Sequence, residues 1–436
     1  MTGQVEGLRL AIVNWRDPWH PAAGGAERYA WELARRFADQ GAEVRYVTAR
    51  APGQPARDRV EGVEFARMGG RFTVYPRVLL WMAPRRRSFD AVIDCQNGIP
   101  FFTPWAVGRR VPVLCSIFHV HDEQFGMYFP GWLARIGRML EGPVARWTYR
   151  RQACTAISLT TVSALRERLG WTGPVYVVPV GVTIPDRAER PEHPVPGDPV
   201  LVCVSRLVPH KRVDRILALA DRLRADLPGL RVHIVGTGPS AEGLAKEVAE
   251  RGLGDIVTLH GFVTEAEKTA LVTGADLHLS ASRGEGWGLC VAEAAALGVP
   301  TVAYDVDGLR DAVRDGVTGW LVRGDEPMDE VVRRALRELG DPARRAGIAD
   351  ACHRWAGEFS WERTAERMGE LVAASVRAGS AHSAGGGAVV VRGYGGEVAR
   401  VVEGPVRDEA LSGSAEVSEV RPATPVERLL GRADQV

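Results

Sequence analysis

Apolar and polar positions alternate along this chain in two successive blocks, each mixing short strand-like runs with amphipathic helical stretches. In the first block, apolar runs at residues 8–14, 43–48, 91–94 and 111–118 flank helical patterns such as 26–40, where Ala26, Tyr29, Ala30, Leu33 and Phe37 share one face. The alternation restarts at residues 199–205 and continues through 213–223, 231–235, 256–259, 276–280 and 301–304. Two such blocks predict an α/β protein of two Rossmann-like parallel-sheet domains facing a cleft. Open α/β sheets bind ligands beyond the C-terminal ends of their strands, so the chemistry should gather in the loops that follow them.

Residues 1–184 form the expected first domain and 199–356 the second. The linker at 185–198 is rich in charge and proline (Pro185, Pro191, Pro194, Pro196), a composition that stiffens a connection. A helical stretch at 357–376, with Trp361 near its start, comes next. From 377 to 436 the composition shifts to glycine, serine, alanine, proline and charge, which predicts a low-complexity tail without fixed structure.

Across its 436 residues the chain is 45% hydrophobic and 25% charged, with a net charge of +1, so nothing in bulk points to a nucleic-acid partner. No apolar run reaches the roughly 18–20 residues that span a bilayer, and the start lacks the basic and apolar regions of a signal peptide, so the expected compartment is the cytoplasm. The six cysteines lie far apart and mostly within apolar runs, a pattern of reduced, buried thiols and not of zinc ligands or disulfides.

Residues 280–298 carry the most chemistry. Glu285 sits in a loop with Gly284, Gly286 and Gly288, and Glu293 lies in a run of helical composition that stops at Gly298. Amides at a helix start favour anions, yet two carboxylates beside a phosphate would repel it. Each glutamate therefore suits the neutral hydroxyls of a ligand that also carries phosphate, and nucleotide sugars are such ligands. Another loop, after the strand at 201–204, puts Lys211 and Arg212 at the start of a helical pattern. Cations there oppose the helix dipole, and a bound anion would supply the compensation the local sequence lacks.

The two glutamates, eight residues apart in this context, resemble the Glu-x7-Glu signature of glycosyltransferase family 4, the retaining enzymes of GT-B fold. The resemblance covers about residues 8 to 374 and is densest in the second half. It implies that Arg206 and Lys211 are the pair that grips the donor diphosphate, that Glu285 holds a hydroxyl of the transferred sugar, and that Glu293 holds the ribose hydroxyls. It also implies donor contacts from Gly24 and Gly25 after the first strand, from Gly236, from Phe262 and Val263, and from Gly286, Trp287, Gly288 and Leu289. His119 best fits the family's histidine near the anomeric carbon, with His121 as competitor. The helix at 357–376 is expected to return to the first domain, with Trp361 as a packing anchor. No metal or other cofactor is implied, and Asp305-Val306-Asp307 reads as a loop and not as a metal motif. Residues 179–183, Pro-Val-Gly-Val-Thr, depart from the family's Pro-Asn-Gly-Val-Asp, which bears on contacts near the domain hinge.

Acceptor identity is weakly encoded. Residues 78–87 and 132–151 mix apolar and aromatic side chains with arginines, which suits either a packed helix with a solvated basic face or peripheral contact with the inner face of a membrane and a lipid-linked acceptor. Two other function classes compete. One is a nicotinamide oxidoreductase reading of Val235-Gly236-Thr237-Gly238-Pro239, whose fingerprint is incomplete because Ala241 stands at the third glycine. The other is a nonenzymatic scaffold.

Overall fold

The structure is a computed structural model, and it describes residues 3–21, 23–185, 198–381, 389–392 and 398–401. The chain divides into two compact units, Met1–Gly181 together with Trp361–Val436, and Val182–Ser360.

The first unit holds eight strands: β1 (Arg9–Val13), β2 (Glu43–Thr48), β3 (Arg57–Val60), β4 (Val63–Arg67), β5 (Ala91–Asn97), β6 (Val113–His119), β7 (Ala153–Ala156) and β8 (Val175–Val177). Their order is β3-β4-β2-β1-β5-β6-β7-β8, parallel except for the β3-β4 hairpin. Central strands β1, β5 and β6 are covered on both faces, which is why they read as nearly unbroken apolar runs. The helix Gly25–Asp39 buries Tyr29, Ala30, Leu33 and Phe37.

The helix Trp361–Ala381 packs beside it, and the Arg36 guanidinium donates to Glu362 at 2.6 Å. Trp361 is 2% exposed, and a Cβ on Gly181 would fall 2.5 Å from its ring, so the glycine makes room for the anchor. Thr364 adds a hydrogen bond from its hydroxyl to the Pro179 carbonyl.

One bound differs from the expectation: this helix runs to Ala381 and not to residue 376. Within the low-complexity tail, β15 (Val389–Arg392) and β16 (Val398–Val401) pair antiparallel, with Val389 opposite Val401. Valine supplies three of the four residues of β15 and both end residues of β16, and β-branched side chains favour pairing even in a glycine-rich surround. The rest of the tail, and residues 186–197 of the expected linker, lie outside the described residues.

The second unit is a six-stranded parallel sheet: β9 (Val200–Val204), β10 (Arg231–Val235), β11 (Val257–Gly261), β12 (Leu277–Ser280), β13 (Thr301–Tyr304) and β14 (Gly319–Val322), in the order β11-β10-β9-β12-β13-β14. Strand order reverses between β9 and β12, so the loops after those two strands emerge side by side, where α/β sheets place ligands. Its core runs from Leu201 and Cys203 through Ile216 and Leu279 to Val331 and Cys352. All six cysteines are free, five of them buried.

Candidate functional site

After β9 the chain passes through Ser205 and Arg206 into a 3-10 turn, Pro209–Lys211, before the helix Asp214–Leu223 begins. Lys211 therefore stands ahead of that helix and not in its first turn. Arg212 adopts a left-handed conformation (φ 49°), and its guanidinium donates to the carbonyls of Ala281 (2.7 Å) and Ser282 (3.2 Å). Arg212 is thus a staple between the loops after β9 and β12.

Its neighbour Lys211 forms an ion pair with Glu285, and the same Glu285 Oε1 accepts the Ser282 hydroxyl at 2.7 Å. No compensation for the Lys211 charge is visible near it in the sequence, and the structure supplies it from Glu285. Burial alone would raise the Glu285 pKa, but the Lys211 charge and hydrogen bond, the Ser282 hydroxyl and His210 outweigh it and hold the carboxylate below its ordinary range. Arg206 is exposed, and its guanidinium has no carboxylate partner among the described residues.

The glycine-rich loop is fixed by backbone contacts. Glu285 N–H donates to the Asp307 carbonyl at 2.9 Å, and Arg283 N–H to the His210 carbonyl at 2.9 Å. A Cβ on Gly308 would meet the Glu285 carbonyl at 2.3 Å, so that close approach depends on glycine. Asp305 pairs with Arg310 and Arg323, and among the described residues no cluster of potential metal ligands is present.

Gly286 is half-buried, while Gly288 precedes the helix Leu289–Ala296 at φ 89°. Trp287 corrects an expectation: its ring is 3% exposed and packs edge-on against Phe359 at 4.7 Å, so it belongs to the core and only its backbone is available to a donor. Leu289 also packs toward the core.

On the helix that follows, Glu293 pairs with Lys268 at 3.3 Å. Burial works against the Lys268 charge, but Glu293 and Glu265 outweigh it and raise its pKa. Both glutamates are thus matched by lysines, which removes the repulsion two bare carboxylates would exert on a phosphate. Cys290 lies among these charges. Its thiol is pushed up to about 12, first by burial and then by Glu293, against the lowering that a helix start ordinarily brings.

Lys268 and Ser282 escaped sequence reasoning. Lys268 reads as a surface partner of Glu265 three residues away, and nothing local links it to Glu293.

Gly236 and Gly238 owe their identity to the chain itself. A Cβ on Gly236 would lie 1.9 Å from the Ser205 carbonyl oxygen, and one on Gly238 2.3 Å from that of Leu207. These glycines let the loop after β10 zip onto the loop after β9, through Leu207 N–H to the Thr237 carbonyl, and nothing here supports a dinucleotide turn. Phe262 is 86% exposed and so is not core, while Val263 beside it packs against the Val202 and Val235 cluster.

In the first unit, Gly24 N–H donates to the Glu27 carboxylate at 2.8 Å, so Glu27 caps its own helix, while Gly25 is exposed. His119 ends β6, and its carbonyl accepts from His121 Nδ1 at 2.9 Å. A carbonyl only accepts, so His121 Nδ1 is the donor of that bond. The buried Glu141 accepts the His121 backbone N–H at 2.6 Å and lies 3.5 Å from Nδ1, fixing the histidine from behind.

Comparison with known proteins shows the family. A family model described as Glycosyltransferase Family 4 matches residues 23–186, and one described as Glycosyl transferases group 1 matches residues 186–352. The D-inositol 3-phosphate glycosyltransferase of Thermobispora bispora is 31% identical over 399 residues, covering 80% of this chain and 89% of that protein. The GDP-mannose-dependent alpha-(1-6)-phosphatidylinositol monomannoside mannosyltransferase of Mycolicibacterium smegmatis is 32% identical over 382 residues, covering 81% and 95%. Among solved structures, sucrose-phosphate synthase from Thermosynechococcus elongatus shares the fold with a TM-score of 0.68 at 20% identity, over 84% of this chain and 98% of that one.

Proposed function

The chain belongs to glycosyltransferase family 4 and is a glycosyltransferase, and from that premise we propose that it moves a hexose from a nucleoside diphosphate sugar to a hydroxyl of a lipid-linked acceptor, with retention at the anomeric carbon. The observation that carries this reading is the Lys211 ammonium held by Glu285, one strand end away from the exposed Arg206. Two cations on the loop after β9 suit a diphosphate whose negative charge grows as the sugar leaves. Because those cations do the neutralising, the reading calls for no metal.

In this reading the bond between the anomeric carbon and the diphosphate oxygen breaks while the acceptor oxygen attaches to the same face. The leaving diphosphate takes the acceptor proton. Glu285 contacts a sugar hydroxyl while holding Lys211 in place, and Glu293, paired with Lys268, receives the ribose hydroxyls. Gly25, Gly286 and Gly288 offer backbone, Phe262 and Val263 the base contact, and His119 a contact to the transferred sugar.

Both curated relatives act, by their names, on inositol-bearing acceptors, and one of these is a phosphatidylinositol derivative. That supports an acceptor of the same chemistry presented at a membrane surface, with the protein in peripheral contact. The test is thermal-shift screening of UDP, GDP, ADP and dTDP sugars, since a donor that binds only the folded state adds about 2.7 kcal/mol at a hundred times its Kd. One of these donors should raise the melting temperature and support transfer, with the anomeric configuration of the product read by NMR. Silence from all four donors, or an inverted product, overturns the proposal.

A further inference from the structure

The helix Glu265–Thr273 follows β11 and keeps its charged residues outside with one exception. Glu265 and Glu267 are exposed, and the Glu267 carboxylate accepts the Thr264 N–H at 2.8 Å while its own N–H donates to the Thr264 hydroxyl at 3.2 Å. Lys268 stands three and four residues before Leu271 and Val272, which pack with Val202 and Val235, so it shares their inward face. Its side chain is 18% exposed, against 78% for Glu265. A lysine turned inward is costly unless it is paired.

Lys268 Nζ lies 2.9 Å from the outer Glu265 and 3.3 Å from Glu293 Oε2 on the neighbouring helix Leu289–Ala296. The Glu293 side chain is as enclosed as that of Lys268. An ammonium has three N–H groups. Two of them meet carboxylates, and among the described residues no third carboxylate pairs with Lys268, so one N–H remains for a ligand oxygen. The reciprocal Thr264 and Glu267 bonds fix the helix start two residues after the exposed Phe262, so one firm element presents both that ring and Lys268.

We infer that Lys268 is a specificity-determining residue of the donor site, which reads the 2′,3′-diol of the ribose together with Glu293 and rejects a 2′-deoxyribose. The inference rests on the placement of the ribose at Glu293 in the proposed function. A hydroxyl both donates and accepts, whereas a carboxylate only accepts and an ammonium only donates. A diol between Glu293 and Lys268 is therefore met on both counts, its hydrogens by the carboxylate and an oxygen lone pair by the ammonium. Glu293 alone would engage only the hydrogens. Loss of the 2′-hydroxyl strands a charged, largely enclosed donor, which weakens binding by about tenfold to a hundredfold.

The test is calorimetric titration of the full chain with UDP, GDP and ADP, each beside its 2′-deoxy counterpart, and the readout is the ratio of Kd values within one base. The wild type should favour the ribonucleotide by about tenfold or more. Lys268→Met keeps the aliphatic stem and removes the ammonium, and should bring the two Kd values within about threefold of each other. Lys268→Arg keeps a charged donor and should retain most of the preference. Leaving Glu293 unpaired, or disturbing the fold in general, weakens both members of a pair alike, so the ratio separates diol recognition from a structural role. The inference is overturned by a wild type that binds both members equally, by a Lys268→Met protein that keeps the wild-type ratio, or by a dTDP sugar, which lacks the 2′-hydroxyl, proving to be the accepted donor. In each of those cases a nucleotide still binds and the proposed reaction stands. Binding of no nucleoside diphosphate at all removes that reaction, and the inference with it.

Discussion

Replacing Lys211 by methionine tests how one ion pair serves both stability and turnover. The two side chains are 15% and 18% exposed, between a surface pair and a fully buried one. Exposed pairs contribute about 0–1 kcal/mol and breaking a buried pair costs about 3–5 kcal/mol, so Lys211→Met should cost about 2 kcal/mol. For a unit of this size that is a fall of about 4–8 °C in melting temperature. Much of the loss comes from Glu285, whose burial is then opposed only by Ser282 and His210. Lys211→Met with Glu285→Gln removes the stranded charge and should regain most of the stability. Activity should behave differently. If Lys211 stabilises the leaving diphosphate, the single variant loses about 10²–10³-fold in kcat, and the double variant recovers none of it. The assays are calorimetry and initial-rate transfer with the donor found by thermal shift. A single variant within threefold of wild-type turnover, or a double variant that regains activity, refutes the reasoning. The pair also sets an acid limit. The folded pKa of Glu285 is depressed, so its contribution is complete above the ordinary glutamate pKa and is lost as pH falls through the folded value below it.

Further outcomes follow from the same geometry. Glu293→Gln should raise the donor Kd about tenfold with kcat little changed, the pattern of lost binding, and unaltered affinity by donor titration contradicts the ribose assignment. Gly236→Ala places a Cβ 1.9 Å from the Ser205 carbonyl oxygen at φ 138°, and should cost at least about 2 kcal/mol in urea unfolding; a wild-type midpoint would refute the close approach. Burial lowers the His278 pKa to about 4, below its ordinary 6.5, so stability is full above pH 6.5 and falls as the unfolded state takes up a proton toward pH 4. From pH 7 to pH 5 that amounts to about 2 kcal/mol, a drop that His278→Leu should abolish in paired urea titrations. His121→Gln should lower transfer, whereas Glu141→Gln should lower it less; wild-type turnover in both variants would leave the two side chains outside the reaction.

Two sheets, the ends of their strands and the loops that carry Arg206, Lys211, Glu285 and Glu293 were legible in the sequence, because hydrophobic period and glycine placement are local signals. The family resemblance was legible for the same reason: Glu285 and Glu293 stand eight residues apart on one continuous loop and helix. Partners were not legible. Lys211 and Glu285 are 74 residues apart and Lys268 and Glu293 are 25 apart, and only the placement of β9 beside β12 and the folding of the Glu265–Thr273 helix join them. Trp287 misled in a related way, since a tryptophan in a ligand loop looks like a contact until Phe359, far along the chain, is seen to cover it.

By itself, then, the sequence determined which segments become strands and helices and which loops carry the charged groups, since both follow from interactions within a few residues. Tertiary structure alone decided which charges neutralise one another and why Gly236 must lack a side chain. Those outcomes depend on strand order and on what packs behind each side chain, and no local pattern encodes them.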